Sequence, residues 1–173
     1  LPVGEKVQAA VIGDFAFDPR YQGAGSSMVN STKVDSIKDM LETSGISVTG
    51  IVRGYQRDGK EDEAMKKEAV DLARRSDVVL FFFGLNEKSE TEGLDRKHLR
   101  IPQNQINLIQ ELAKANANMV GIISAGSVIE MPWHHHFKAL LHTALMGQAG
   151  AGAVLDILSG KVNPSGKLAE TYI

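Results

Sequence analysis

Six consecutive apolar residues, Val78-Val79-Leu80-Phe81-Phe82-Phe83, stop at Gly84. A short unbroken run of this kind, rich in aromatic and β-branched side chains, is tolerated as a strand only where both faces are covered. That points to the middle of a parallel sheet with helices on each side. Residues 6–13 (KVQAAVIG), 46–52 and 119–124 (MVGIIS) also read as strands, and residues 138–146 fit either a fifth strand or a short helix. Between them lie amphipathic stretches. Thr32, with Asp35 three residues on, is placed as an N-cap ahead of Val34, Ile37 and Leu41, and Gly45 as the stop. Residues 61–75 carry Met65, Ala69, Leu72 and Ala73 on one face, and Pro102 opens a helix with Ile106, Ile109, Leu112 and Ala113. Residues 147–159 form a glycine-rich helix with Val154, Ile157 and Leu158 inward, and the segment after Pro164-Ser165-Gly166 is expected as an edge strand. Strands alternating with helices of this length predict an α/β fold: a three-layer α/β/α sandwich around a mainly parallel, doubly wound sheet.

A chain of 173 residues without an internal repeat or long linker predicts one domain spanning 1–173. Its net charge of −2, with no basic run, argues against a nucleic-acid partner, and no stretch has the apolar length of a membrane span. The absence of cysteine excludes disulfides and thiolate-bound zinc. Leu1-Pro2 lacks an initiator methionine, and residues 168–173 end without a closing turn. Both ends read as cut, so the chain is expected to be part of something larger, and cytoplasmic and secreted locations stay open.

Two phosphate motifs fail. Residues 160–167 (GKVNPSGK) put five residues between the glycines where a P-loop has four, and Leu168 replaces the magnesium-binding hydroxyl. The Gly23-Ala24-Gly25 turn has Met28 where a dinucleotide loop needs a third glycine. No cofactor is therefore expected, and a flavodoxin-like nucleotide binder loses its main support. His134-His135-His136 is read as a loop and not a metal site, because adjacent imidazoles diverge and no acidic residue flanks them at a ligand spacing. Trp133, the only tryptophan, is either core or a platform for a sugar face.

The stretch after the apolar run is Glu90-Thr91-Glu92-Gly93-Leu94-Asp95-Arg96. In open α/β sheets, sites form in loops beyond the carboxyl ends of the strands. Two carboxylates and an Asp-Arg pair delivered there are either carboxylate chemistry or a solvated loop with a local ion pair.

With this loop, Gln22-Gly23-Ala24-Gly25-Ser26-Ser27, Ser124-Ala125-Gly126-Ser127, Glu130-Met131-Pro132-Trp133, Gly147-Gln148-Ala149-Gly150 and residues 160–168 (GKVNPSGKL), the chain resembles the C-terminal α/β-sandwich domain of family 3 glycoside hydrolases. The resemblance runs along nearly the whole length. It implies a domain of a retaining β-glycosidase, of β-glucosidase type, that lends the general acid/base to a cleft shared with a (β/α)8 barrel domain. The barrel, absent here, carries the aspartate nucleophile. By that match Glu92 is the acid/base and Glu90 the alternative, with Asp95 and Arg96 an ion pair shaping the loop and Trp133 near the substrate cleft. The implied partners are a carbohydrate substrate and the barrel. The other reading is a non-catalytic carbohydrate-binding or interaction module of the same fold. Val128 stands where relatives often carry proline.

Overall fold

The computed structural model describes residues 1–4 and 6–173. Five strands, β1 (Ala9–Ile12), β2 (Val48–Val52), β3 (Val78–Gly84), β4 (Met119–Ser124) and β5 (Ala139–His142), form one sheet in the order β2-β1-β3-β4-β5. Every pairing is parallel. Three helices connect successive strands, α1 (Ile37–Ser44), α2 (Glu63–Arg74) and α3 (Gln103–Ala115), and α4 (Gly150–Ser159) follows β5.

The apolar run becomes β3, the central strand, and its alternation explains why it had to be continuous. Phe81 and Phe83 face a core completed by Leu72 of α2 and Leu108 and Leu112 of α3. Leu80 and Phe82 face the opposite core, built with Ile37 of α1 and Val154 and Leu158 of α4. Both faces are covered, so a polar residue at any of these positions would lie in a dry layer. The three-layer, doubly wound sandwich expected from the pattern is therefore the fold.

Local chemistry sets the helix ends. Asp62 caps α2, accepting from the Met65 amide at 3.0 Å, and Gly45 ends α1 in the left-handed conformation at φ 80°. Two boundaries and one inward face differ from expectation. The cap of α1 is Ser36 rather than Thr32. Its hydroxyl accepts from the Asp39 amide at 3.1 Å and donates to the Asp39 carboxylate at 2.7 Å, while the Asp35 amide is drawn to the Gln148 carbonyl at 2.9 Å. Pro102 sits just outside α3 as its cap. In α4 Leu155 is buried, whereas Ile157 is half-buried.

Residues 138–146 resolve as a strand, β5, followed by Ala144 at φ 49°. The segment after Pro164-Ser165-Gly166 does not add an edge strand. It meets β5 through a side chain, with the Tyr172 hydroxyl 2.9 Å from His142 Nε2, and the Ile173 carbonyl accepts from the Met131 amide. Residues 160–171 are exposed throughout, and only Tyr172 is half-buried. Among the described residues no helix is long and apolar enough to cross a membrane.

Candidate active site

In this strand order β1 lies between β2 and β3, so successive connections leave it in opposite directions and open a crevice at the carboxyl ends of β1 and β3. Three loops fill it. Gly23–Ser27 arrives from β1, residues 90–96 from β3, and Gly126-Ser127 from β4. Together with Arg20 they line a cleft of about 680 Å³.

Each strand exit is shaped by close backbone approach. Gly84 ends β3 at φ 144°, where a Cβ would stand 2.0 Å from the Ser124 carbonyl oxygen, so only glycine fits. Its amide donates to Oε1 of buried Gln105 at 3.0 Å. Further along, Ala24 and Thr91 pair as an isolated parallel bridge. There Gly25, at φ 76°, lets the glycine loop pass beside Glu92, since a Cβ would meet the Glu92 Cβ at 3.2 Å and Thr91 Oγ1 at 3.3 Å.

The two glutamates have unlike surroundings. Glu90, its side chain only 9% exposed, accepts from the Gly126 amide at 3.0 Å and from Ser127 Oγ at 2.6 Å. Arg20 Nη2 lies 3.7 Å away, and this guanidinium is 1% exposed. Arg20 Nε and Nη2 have no hydrogen-bond partner among the described residues, so charge compensation of Glu90 is the main contact of this arginine. A carboxylate engaged in this way is an acceptor, and it cannot deliver a proton without giving up a contact. Glu92 is exposed at the loop tip and, among the described residues, accepts only from the Ser26 hydroxyl. Of the two carboxylates, the one at the tip is the more exposed and has fewer protein contacts.

The other expected site residues sort differently. Arg96 does not pair with Asp95. Its Nη1 donates to Ser127 Oγ and to the Val128 carbonyl, each at 2.8 Å, and exposed Asp95 has no ion-pair partner among the described residues. Adjacent residues on an exposed turn point apart, and the β4 exit offers Arg96 two acceptors. The Val128 amide donates to no described group, so proline there would forfeit no hydrogen bond. Trp133 is 3% exposed and packs edge-on against Phe83 at 5.1 Å and Phe137 at 5.8 Å. It belongs to the core under β3 and not to the cleft. His134–His136 form a 3-10 turn. The rings of His135 and His136 do not diverge as expected but approach to 4.1 Å, while His134 Nδ1 bonds the Met131 carbonyl at 2.8 Å. Among the described residues no group of three or more metal-ligating side chains is gathered around one point.

Sequence reasoning missed Arg20, Ser26 and Ser127 as individuals, because nothing local marks an arginine as buried or a serine as a bridge. It also missed a network at the neighbouring exit. Asp14, directly after β1, binds Arg53 and the Arg57 Nε, the latter at 2.6 Å, and Arg57 reaches Glu87 at 3.2 Å. Burial pushes the His142 imidazole below its usual pKa, with Glu90 and Glu170 opposing. A second cleft, of about 720 Å³ between β5 and the C-terminal segment, has no carboxylate in its lining.

Comparison with known proteins gives the family of the chain. The family model for the glycosyl hydrolase family 3 C-terminal domain matches residues 1–173. Thermostable beta-glucosidase B of Acetivibrio thermocellus is 43% identical over 99% of this chain, which spans 23% of that protein. An exo-α-(1→6)-L-arabinopyranosidase of Bifidobacterium breve is 46% identical over 94% of the chain and 22% of its own length. The crystal structure of a family 3 beta-glucosidase from Bifidobacterium adolescentis superposes with a TM-score of 0.93 at 44% identity, covering 99% of this chain and 25% of that one. The chain thus spans about a quarter of each of these three relatives. The sequence match along its full length and the shared three-layer sheet together make it a member of the glycosyl hydrolase family 3 C-terminal domain family.

Proposed function

We propose that this chain works as the C-terminal domain of a retaining β-glycosidase of β-glucosidase type, with Glu92 as general acid/base. In this reading a (β/α)8 barrel domain of the same protein supplies an aspartate nucleophile, and the substrate is a carbohydrate held between the two. The observation that carries it is the contrast between Glu90, buried and engaged on three sides, and Glu92, exposed on the same loop with one contact, from the Ser26 hydroxyl, among the described residues.

The chemistry follows from that placement. A retaining glycosidase sets two carboxyl groups roughly 5–5.5 Å apart. As the bond between the anomeric carbon and the leaving oxygen breaks, Glu92 gives its proton to that oxygen while the nucleophile's carboxylate bonds to the anomeric carbon. Glu92, now ionised, takes a proton from water as the water oxygen displaces the carboxylate, returning both groups to their first state. The acid must hold its proton near neutral pH, which burial and a neighbouring negative charge both favour. An anionic barrel site closing over an exposed Glu92 would supply both.

The test is a hybrid in which this chain replaces the matching segment of the Acetivibrio thermocellus enzyme. General acid–base assistance contributes about 10²–10⁴-fold, so Glu92→Ala should lose that much on alkyl glucosides. Dinitrophenyl glucoside, whose leaving group needs no proton, should be spared, and azide should rescue turnover by attacking the glycosyl-enzyme. The same pattern in Glu90→Ala instead would move the role to Glu90. Its absence from both variants of an active hybrid would favour the non-catalytic module.

A further inference from the structure

We propose that Ser127 is the positioning residue for the 90–96 loop, a single hydroxyl that holds both of its feet and so fixes where Glu92 stands. The first foot is Glu90, whose Oε1 accepts from Ser127 Oγ at 2.6 Å. The second is Arg96, whose Nη1 donates to the same Ser127 Oγ at 2.8 Å. The directions are forced. A carboxylate offers no proton and a guanidinium no lone pair, so the hydroxyl gives its one hydrogen to Glu90 and its lone pair to Arg96. The flanking backbone completes the clamp, with the Gly126 amide on Glu90 and the Val128 carbonyl accepting from Arg96. Three consecutive residues after β4 thus seize both ends of the loop. Since β4 is buried along its whole length, the clamp stands on a rigid element.

Between the feet the loop is thinly supported. Thr91 bridges Ala24, Glu92 takes one hydroxyl, and the Leu94 amide bonds the Thr91 carbonyl at 3.3 Å. Glu92, Gly93, Leu94 and Asp95 are all exposed. An exposed loop is mobile by default unless its ends are tied down. Ser127 Oγ is the one side-chain oxygen among the described residues bonded to both feet, so losing it loosens both at once, leaving Glu90 with the Gly126 amide and Arg20 and Arg96 with the Val128 carbonyl. A misplacement of about 1 Å at a reacting group is enough to cost roughly 10²-fold in rate.

The consequence is readable without catalysis. In ¹⁵N relaxation on this chain, backbone order parameters at 91–95 should fall from about 0.85 to below about 0.6 in Ser127→Ala, while β3 and β4 keep theirs. Ser127→Thr, which retains the hydroxyl, should restore them. The catalytic arm rests on the reading of Glu92 as acid/base. In the hybrid enzyme Ser127→Ala should lower kcat on an alkyl glucoside about 10–100-fold, leave KM within about twofold and spare dinitrophenyl glucoside, again with rescue by threonine. Unchanged loop order parameters in Ser127→Ala overturn the proposal, as does a general loss of order across the sheet with none specific to the loop. A mobile loop in Ser127→Ala, together with no leaving-group effect in Glu92→Ala, would keep the clamp and discard the acid/base assignment.

Discussion

Glu90 and Glu92 are two residues apart, yet their removal should have opposite effects on stability and on chemistry. Glu90→Ala deletes an acceptor of two hydrogen bonds, at 3.0 and 2.6 Å, from a side chain only 9% exposed. It also strands Arg20, 1% exposed, without the carboxylate 3.7 Å away. Hydrogen bonds to a charged group are worth about 1.5–3 kcal/mol each, and breaking a buried ion pair from one side costs about 3–5 kcal/mol because the remaining charge is uncompensated. These figures overlap in what they count, and water entering from the cleft relieves part of the cost. We therefore expect Glu90→Ala to destabilise the chain by about 3 kcal/mol. Glu92 is exposed with a single serine contact, so Glu92→Ala should stay within about 0.5 kcal/mol of the parent. Urea unfolding followed by circular dichroism reads both. With a slope near 2 kcal/mol/M, Glu90→Ala should lower the midpoint by about 1.5 M and Glu92→Ala should barely move it. The double variant Arg20→Met/Glu90→Ala removes the stranded charge and should be more stable than Glu90→Ala alone. A loss below about 1 kcal/mol for Glu90→Ala, or equal losses for the two glutamates, would refute the distinction between an anchoring and a presented carboxylate.

Gly84→Ala should abolish the folded state, at a cost above about 4 kcal/mol, because the new Cβ would lie 2.0 Å from a backbone oxygen with no flexible neighbour to yield. A well-dispersed NMR spectrum from this variant would contradict that. Burial lowers the His142 pKa in the folded chain, so the unfolded chain takes up the proton first as pH falls. Its contribution to stability is therefore complete above the unfolded value near 6.5 and is lost as pH falls through the depressed folded value. The urea midpoint of the parent should drop between about pH 7 and pH 5, and His142→Gln should flatten that drop. An equal drop in the variant would place the sensitivity elsewhere.

Much of the architecture could be read before any tertiary structure. The run 78–83 specified a strand buried on both faces, since its side chains alternate between two cores that both need apolar groups. The glycine after it marked a strand exit, and the Glu90–Arg96 loop marked the carboxyl edge. Such features are legible because burial and backbone geometry impose their demands residue by residue along the chain. The cap of α1 was less legible, because Thr32 and Ser36 are equally good local caps and a distant contact between Asp35 and Gln148 separated them.

Other properties belong to no single segment. Whether Trp133 faces a core or a sugar depends on Phe83 and Phe137 lying beside it. Whether the C-terminal segment pairs with β5 depends on the path imposed after Gly160. The division of roles between two glutamates depends on Arg20, 70 residues earlier, and on Gly126 and Ser127, more than 30 later. The sequence by itself determined the layers, the central strand and which loop carries the carboxylates, because hydrophobic periodicity is a local record of burial. Only the tertiary structure decided which carboxylate is held and which is presented, because hydrogen bonds and charge compensation act between groups that come together when the chain folds.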